Sequence, residues 1–342
     1  EEERGTALGL NIAASFTGFA LGFILGGILS YYLSWRVIFL AIAPVAAVLI
    51  GLIRLRLHGE CAITRGKRFD IAGMTLHAGM LLCIVAGFST LPHSLGMTMV
   101  TVGAVLLCGY ILWEMRATSP IVDIRLLSGN RVYVLANATV LVYNMGTFAV
   151  IFLISLYLQY IREFDARLVG IVLLGSNLIS AGLVGYAGRL ADRTAAWKVA
   201  SGGIVVTCVG IALLSLASHA TPLPLFLAAV FLVVGGYAFF QPPIYSTVIG
   251  SIDKAMYGVA SGFVETMRLV GMTASMAITI IVFSLYLGSA EITPAHHATF
   301  LESFTVIFTF FFILSVGSLA IAIYLGKRVQ SPAGRTEHRI RE

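Results

Sequence analysis

The chain has 342 residues, of which 58% are hydrophobic and 11% charged, and its mean hydropathy is +0.95. A soluble domain carries about 25% charged residues, so composition excludes one and points to a protein of the lipid bilayer. The formal charge of +6 is no nucleic-acid footprint, because it resides in short connections between apolar runs; its sidedness is the useful quantity. Ten apolar segments are predicted, at 6–31, 36–53, 71–90, 96–113, 132–160, 168–188, 198–217, 223–249, 257–287 and 301–325. Each reaches the roughly 17–25 residues that a bilayer core requires. The runs are continuous and not alternating, which excludes a transmembrane β-barrel. The expected fold class is therefore all-α, a polytopic transmembrane bundle of about ten helices.

The first segment is rich in glycine and carries no charge from Thr6 to Leu33. Gly18, Gly22 and Gly26 fall four apart on one helix face, and Gly9 and Gly27, each nine residues from Gly18, fall on the opposite face. A helix thin on both sides can let neighbouring backbones approach closely in lipid. The alternative is a generic small-residue packing helix. Ser34-Trp35-Arg36-Val37-Ile38-Phe39 follows, with Pro44 in the second segment. Phe69-Asp70-Ile71-Ala72-Gly73 opens the third, where His77 is either packed or part of a proton relay. Glu114, Arg116, Pro120, Asp123, Arg125 and Leu126 mark the loop after the fourth.

Polar residues then appear inside apolar segments. Tyr133, Asn137, Tyr143, Asn144, Tyr157 and Gln159 mark the fifth, Asn177 the sixth, and Tyr237 and Gln241 the eighth, before Pro242-Pro243. Tyr133, Asn137 and Asn144 share one face by spacing. They either line a weakly polar cavity suited to amphipathic or cationic molecules or serve as interhelical hydrogen-bonding groups. Gly188-Arg189-Leu190-Ala191-Asp192-Arg193 closes the sixth segment. Glu265 lies about 12 Å into the ninth at about 1.5 Å per residue, and Arg268 follows at i+3 on the same face. A lone charge near the bilayer centre costs about 2.5–3.5 kcal/mol, so pairing accounts for both. The pair is either structural or a protonatable carboxylate held by arginine. Small thiols at Cys61, Cys83, Cys108 and Cys208, and adjacent histidines at His296-His297 near Glu291 and Glu302, point to neither disulfide nor metal. No nucleophile–base constellation and no phosphate-binding loop is present in the sequence, so neither an enzyme nor ATP coupling is expected.

Lysine and arginine set the orientation. Of the 22, 18 lie in 1–5, 54–70, 114–131, 189–198, 250–256 and 326–342; Arg36, Arg162 and Arg167 lie on the other side, and Arg268 lies within a helix. This bias places both termini in the cytoplasm, as an even number of helices requires.

The glycine spacing at Gly9, Gly18, Gly22, Gly26 and Gly27 resembles the antiporter signature of the major facilitator superfamily, with Phe23 where the family usually has proline. The Ser34–Phe39 continuation, the aspartate–x–x–glycine of Asp70 and Gly73, and the Glu114–Leu126 loop resemble landmarks of its fourteen-helix drug:proton antiporters. So do Tyr157-Leu158-Gln159, the Gly188–Arg193 loop signature with Arg189 and Asp192, Gln241-Pro242-Pro243, and Gly258, Ser261, Gly262, Arg268 and Gly271. In those proteins the glycine helix is the fifth, and ten helices from it end at the fourteenth. The chain begins Glu1-Glu2-Glu3-Arg4 without methionine, and the resemblance implies a fragment. Residues 1–56 would be the last two helices of a first bundle, 57–131 a loop plus two linker helices, 132–326 a complete second bundle and 327–342 a basic tail. The implied function is proton-coupled efflux of drugs or other amphipathic or cationic molecules by alternating access. The implied location is the bacterial inner membrane. The implied partners are a small-molecule substrate, protons and lipid, with no cofactor, metal or nucleic acid. Family members usually carry an arginine like Arg268 but a small polar residue in place of Glu265. A carrier of one metabolite and a non-transporting remnant are the alternatives.

Overall fold

A computed structural model describes residues 17–18, 21–22, 24–56, 70–90, 93–116, 130–252, 256–288 and 292–330. Ten helices follow in chain order among the described residues. They are α1 (24–32), α2 (Trp35–Arg56), α3 (Ile71–Thr90), α4 (Ser94–Glu114) and α5 (Arg131–Ile161), then α6 (Ala166–Arg193), α7 (Ala196–Ser215), α8 (Leu223–Gly250), α9 (Tyr257–Tyr286) and α10 (His297–Gln330). No strand occurs among the described residues, and nine of the helices are long and apolar enough to cross a membrane. Each of the ten expected segments thus contains a helix, and most of the helices extend a few residues further into the interfaces. At the ends of α2 and α10 these extensions carry Arg54, Arg56, Lys327 and Arg328, whose long stems can reach the headgroup layer. No residue of α2 is buried, and large apolar side chains such as Phe39, Leu40 and Leu55 face outward.

The chain divides into two compact units. The first comprises Glu1–Phe69 and Ser155–Ala181, in which α1 and α2 accompany the end of α5 and the start of α6. Here Gly27 meets α6: a β-carbon on it would lie 3.1 Å from the Ala166 carbonyl oxygen. Arg167 lies over the Tyr31 ring at 5.7 Å and donates to the Tyr32 hydroxyl at 3.5 Å. Asp165 caps α6, accepting from the Leu168 amide at 2.8 Å.

The second unit comprises Asp70–Ile154 and Gly182–Glu342. In it α3 and α4 form a hairpin, α7 packs on α8 and α10, and α5 packs on α9 and α10. The tightest crossing is glycine on glycine. A β-carbon on Gly203 of α7 would lie 2.6 Å from the Gly236 carbonyl oxygen of α8. Van der Waals contact of backbones replaces the hydrophobic effect as the source of association in lipid. A phenylalanine ladder on α10 is fully buried, with the Phe304 and Phe308 rings 4.5 Å apart.

The aspartate–x–x–glycine landmark acquires a physical reason in the hairpin. One carboxylate oxygen of Asp70 accepts from the Gly73 amide at 2.8 Å and the other from the Trp113 indole at 2.9 Å. Asp70 thereby caps α3 and ties it to α4, and a β-carbon at Gly73 would stand 2.6 Å from that carboxylate.

Candidate functional site

The charged site lies within the second unit, on α9, and is closed by side chains from α8. Glu265 and Arg268 sit one turn apart, so their side chains share a face and meet. The Arg268 Nε donates to both Glu265 carboxylate oxygens, at 3.0 and 2.9 Å, and its Nη2 donates to Oε1 as well. The other terminal nitrogen of Arg268 contacts the Met272 sulfur at 3.3 Å. From α8 the Tyr245 hydroxyl donates to Glu265 Oε2 at 3.2 Å. The pair is neutral as a unit and unevenly covered. The Arg268 side chain is 23% exposed and the Glu265 side chain 43%, so the carboxylate is the end offered to a ligand or a proton.

An aromatic wall continues from the pair. Tyr237 of α8 has its hydroxyl beside Arg268 and its ring stacked on Tyr143 of α5 at 6.1 Å. Tyr143 stacks on Phe240 at 3.9 Å, and its hydroxyl meets the Thr207 hydroxyl of α7 at 2.8 Å. Thr207 donates to the Gly203 carbonyl at 3.1 Å, which makes the Tyr143 O–H the donor in their shared bond. Tyr133 and Phe263 extend the wall, with rings 5.8 Å apart.

The sequence-predicted residues divide by position. Glu265, Arg268 and Tyr143 come together with Tyr237 in this region. Asn137 and Asn144 are buried, but their amides donate to their own helix, to the Tyr133 carbonyl at 2.9 Å and the Val140 carbonyl at 2.8 Å. The Asn137 side-chain oxygen is buried without a hydrogen-bond partner. Asn177, in the first unit, donates to the Leu173 carbonyl at 2.8 Å. Gln241 is half-buried on α8 before the proline pair. In the loop signature, Arg189 donates back to the Gly185 carbonyl at 3.3 Å. A β-carbon on Gly188 would have open space for 4 Å around it, and Asp192 and Arg193 are exposed. Of the glycine signature, Gly9 lies outside the described residues. Gly18, Gly22 and Gly26 have open space where a β-carbon would stand, and Gly27 alone of the described four meets a neighbour.

Sequence reasoning missed Tyr245, Phe240, Thr207 and Met272. Tyr245 had a signal, since it lies four residues beyond Gln241 on the same helix face. Met272 stands at i+4 from Arg268 and could have been found by the same rule. Phe240 and Thr207 carried none.

Comparison with known proteins agrees with this architecture. A family model described as Major Facilitator Superfamily matches residues 1–276. The chain is 25% identical over 298 residues to Multidrug resistance protein Stp of Mycobacterium tuberculosis, covering 86% of this chain and 55% of that one. It is 29% identical over 285 residues to Puromycin resistance protein pur8 of Streptomyces alboniger, covering 81% and 56%. It is 24% identical over 274 residues to Riboflavin transporter RibZ of Clostridioides difficile, covering 78% and 58%. The chain spans about half the length of these curated relatives.

Proposed function

The chain belongs to the major facilitator superfamily, and from that premise we propose that it forms part of a proton-coupled exporter of amphipathic, cationic small molecules in a bacterial inner membrane, with both termini cytoplasmic. The observation that carries the reading is Glu265. It is a carboxylate at membrane depth, gripped by Arg268, hydrogen-bonded by Tyr245, and more exposed than its partner. A proton or a substrate cation arriving at Glu265 competes with Arg268 for the same oxygens. Either one loosens the pair, which makes occupancy by one exclusive of the other. The tyrosine and phenylalanine faces beside the pair suit a flat, delocalised cation better than a strongly hydrated one. The similarity to multidrug and puromycin resistance proteins supports an exporter of this kind. In this reading 1–56 belongs to a first bundle, 57–131 holds the linker helices, 132–326 is the second bundle and 327–342 a cytoplasmic tail.

The test uses the whole gene expressed in cells stripped of their own ethidium exporters. Ethidium efflux should run down the proton gradient and stop when a protonophore collapses it. Glu265→Gln should still exchange ethidium but fail to concentrate it. Efflux indifferent to the protonophore would defeat the proton-coupled reading. A second reading, carriage of one defined metabolite, is favoured by the similarity to a riboflavin transporter; riboflavin flux without ethidium flux would select it.

A further inference from the structure

α5 contains no proline from Arg131 to Ile161, yet its hydrogen-bond ladder is interrupted. Helix runs from Arg131 to Thr147, two turn residues follow, and helix resumes over Val150–Leu156. At the break the Ala149 amide donates to the Ser275 hydroxyl of α9 at 3.1 Å. In a continuous helix it would donate to the Met145 carbonyl. The fault is local, because Phe148 still donates to Asn144 at 3.2 Å and Leu153 to Ala149 at 2.9 Å. Thr147 donates back to the Tyr143 carbonyl at 2.8 Å, a bond that bends helices.

A helical ladder can break without proline where a side chain inserts into it. Inside a bilayer the displaced amide must find a protein partner, since no water is there to take it. Ser275 is fully buried and meets both conditions. The position of the break is equally telling. Just before it, α5 is clamped. A β-carbon on Gly271 of α9 would lie 2.6 Å from the Leu141 carbonyl oxygen, and one on Gly146 of α5 would lie 2.9 Å from the Phe311 carbonyl oxygen of α10. The helix is in close backbone contact with α9 and α10 up to Gly146, and the break follows within three residues.

We propose that Ser275 is the positioning residue of a hinge in α5. Its hydroxyl holds the ladder broken by taking the Ala149 amide, and the alternative is an unbroken helix in which that amide returns to Met145. Each state satisfies the Ala149 amide once, so the two differ little in hydrogen bonding, as a bistable element requires. Tyr143 and Asn144 stand on the clamped side within about one turn of the hinge, so in transport the aromatic wall beside Glu265 stays fixed while the helix beyond the break moves. That consequence rests on the alternating-access reading above; the hinge itself does not.

The experiment reads stability and amide exchange in purified protein in lipid nanodiscs. Ala149→Pro removes an amide that is already out of the ladder, whereas Leu153→Pro removes one within it. Relative to Leu153→Ala, Leu153→Pro should lower the melting temperature by about 6–12 °C. Ala149→Pro should cost less than half of that shift. In a Ser275→Ala background, where the Ala149 amide returns to the ladder, Ala149→Pro should cost as much as Leu153→Pro, and amide exchange over 131–147 should stay unchanged. In a Ser275→Thr background, which keeps the hydroxyl, Ala149→Pro should again cost less than half as much. Equal losses from the two prolines with Ser275 in place, or faster exchange along the whole of α5, would overturn the hinge. Proline asymmetry in a protein that moves no ethidium would count against the transport reading and still uphold the hinge.

Discussion

The Glu265–Arg268 pair allows a double-mutant cycle whose size follows from its geometry. Opposite charges at about 4 Å and an effective dielectric near 20 attract by about 4 kcal/mol. Solvent reaches 43% of the Glu265 side chain and 23% of Arg268, so this site lies between a surface pair, worth about 0–1 kcal/mol, and a buried one, whose breakage costs about 3–5 kcal/mol. We expect Glu265→Gln to cost about 1–2 kcal/mol, which is that interval discounted for exposure. The glutamine keeps the shape and the Tyr245 bond, but it leaves the guanidinium without its counter-charge. Arg268→Gln should cost a similar amount. The double variant Glu265→Gln with Arg268→Gln should recover most of it, because two amides of this shape satisfy each other without charge. Thermal unfolding of the four proteins in nanodiscs gives the interaction energy. A value below about 0.3 kcal/mol, the limit for independent sites, would refute a coupled pair. Transport separates the two roles for the carboxylate. A purely structural glutamate predicts that the double variant regains concentrative ethidium efflux along with its stability. A proton-carrying glutamate predicts that it regains stability alone.

Two further outcomes follow from packing and charge. Gly203→Ala should destabilise by about 1–3 kcal/mol, the range for overpacking, because its β-carbon would press on the Gly236 carbonyl; Gly202→Ala, one residue away in open space, should be neutral or gain up to about 1 kcal/mol in helix propensity, and melting curves that rank them the other way would sink the crossing. The asymmetry of lysine and arginine predicts that a cysteine at Ser94 reacts with an impermeant maleimide from outside intact cells and that one at Thr64, in a Cys61→Ser background, does not; the reverse labelling would invert the topology.

The helix count was legible because the bilayer imposes one length on every crossing, and glycine and polar residues do not hide a twenty-residue apolar run. Contacts between side chains were legible only where both partners share a helix. Glu265 and Arg268 could be paired from their spacing of three, but the Tyr245 hydroxyl that completes their site reaches over from α8, 20 positions away. Glycine spacing marks a packing face in α7, where Gly203 and Gly210, seven residues apart, both make close crossings with α8.

The asparagines show where polar side chains in apolar segments turn first. Asn137, Asn144 and Asn177 each return their amide to a carbonyl four residues earlier, and Thr139, Thr147 and Thr207 do the same with their hydroxyls. In lipid the nearest unsatisfied acceptor is the helix's own backbone, and a short side chain finds it first. The informative polar residues are the exceptions that leave their own helix. Tyr143 reaches Thr207, Tyr245 reaches Glu265, and Ser275 reaches Ala149. Each of the three bonds joins a different pair of helices, and at one of them, the break at Ala149, a cross-link and a backbone fault coincide. The fault frees an amide that in lipid only a neighbouring helix can satisfy, so Ser275 answers a need that the Asp70–Trp113 tie between α3 and α4 and the Ser318–Thr139 bond between α10 and α5 do not have.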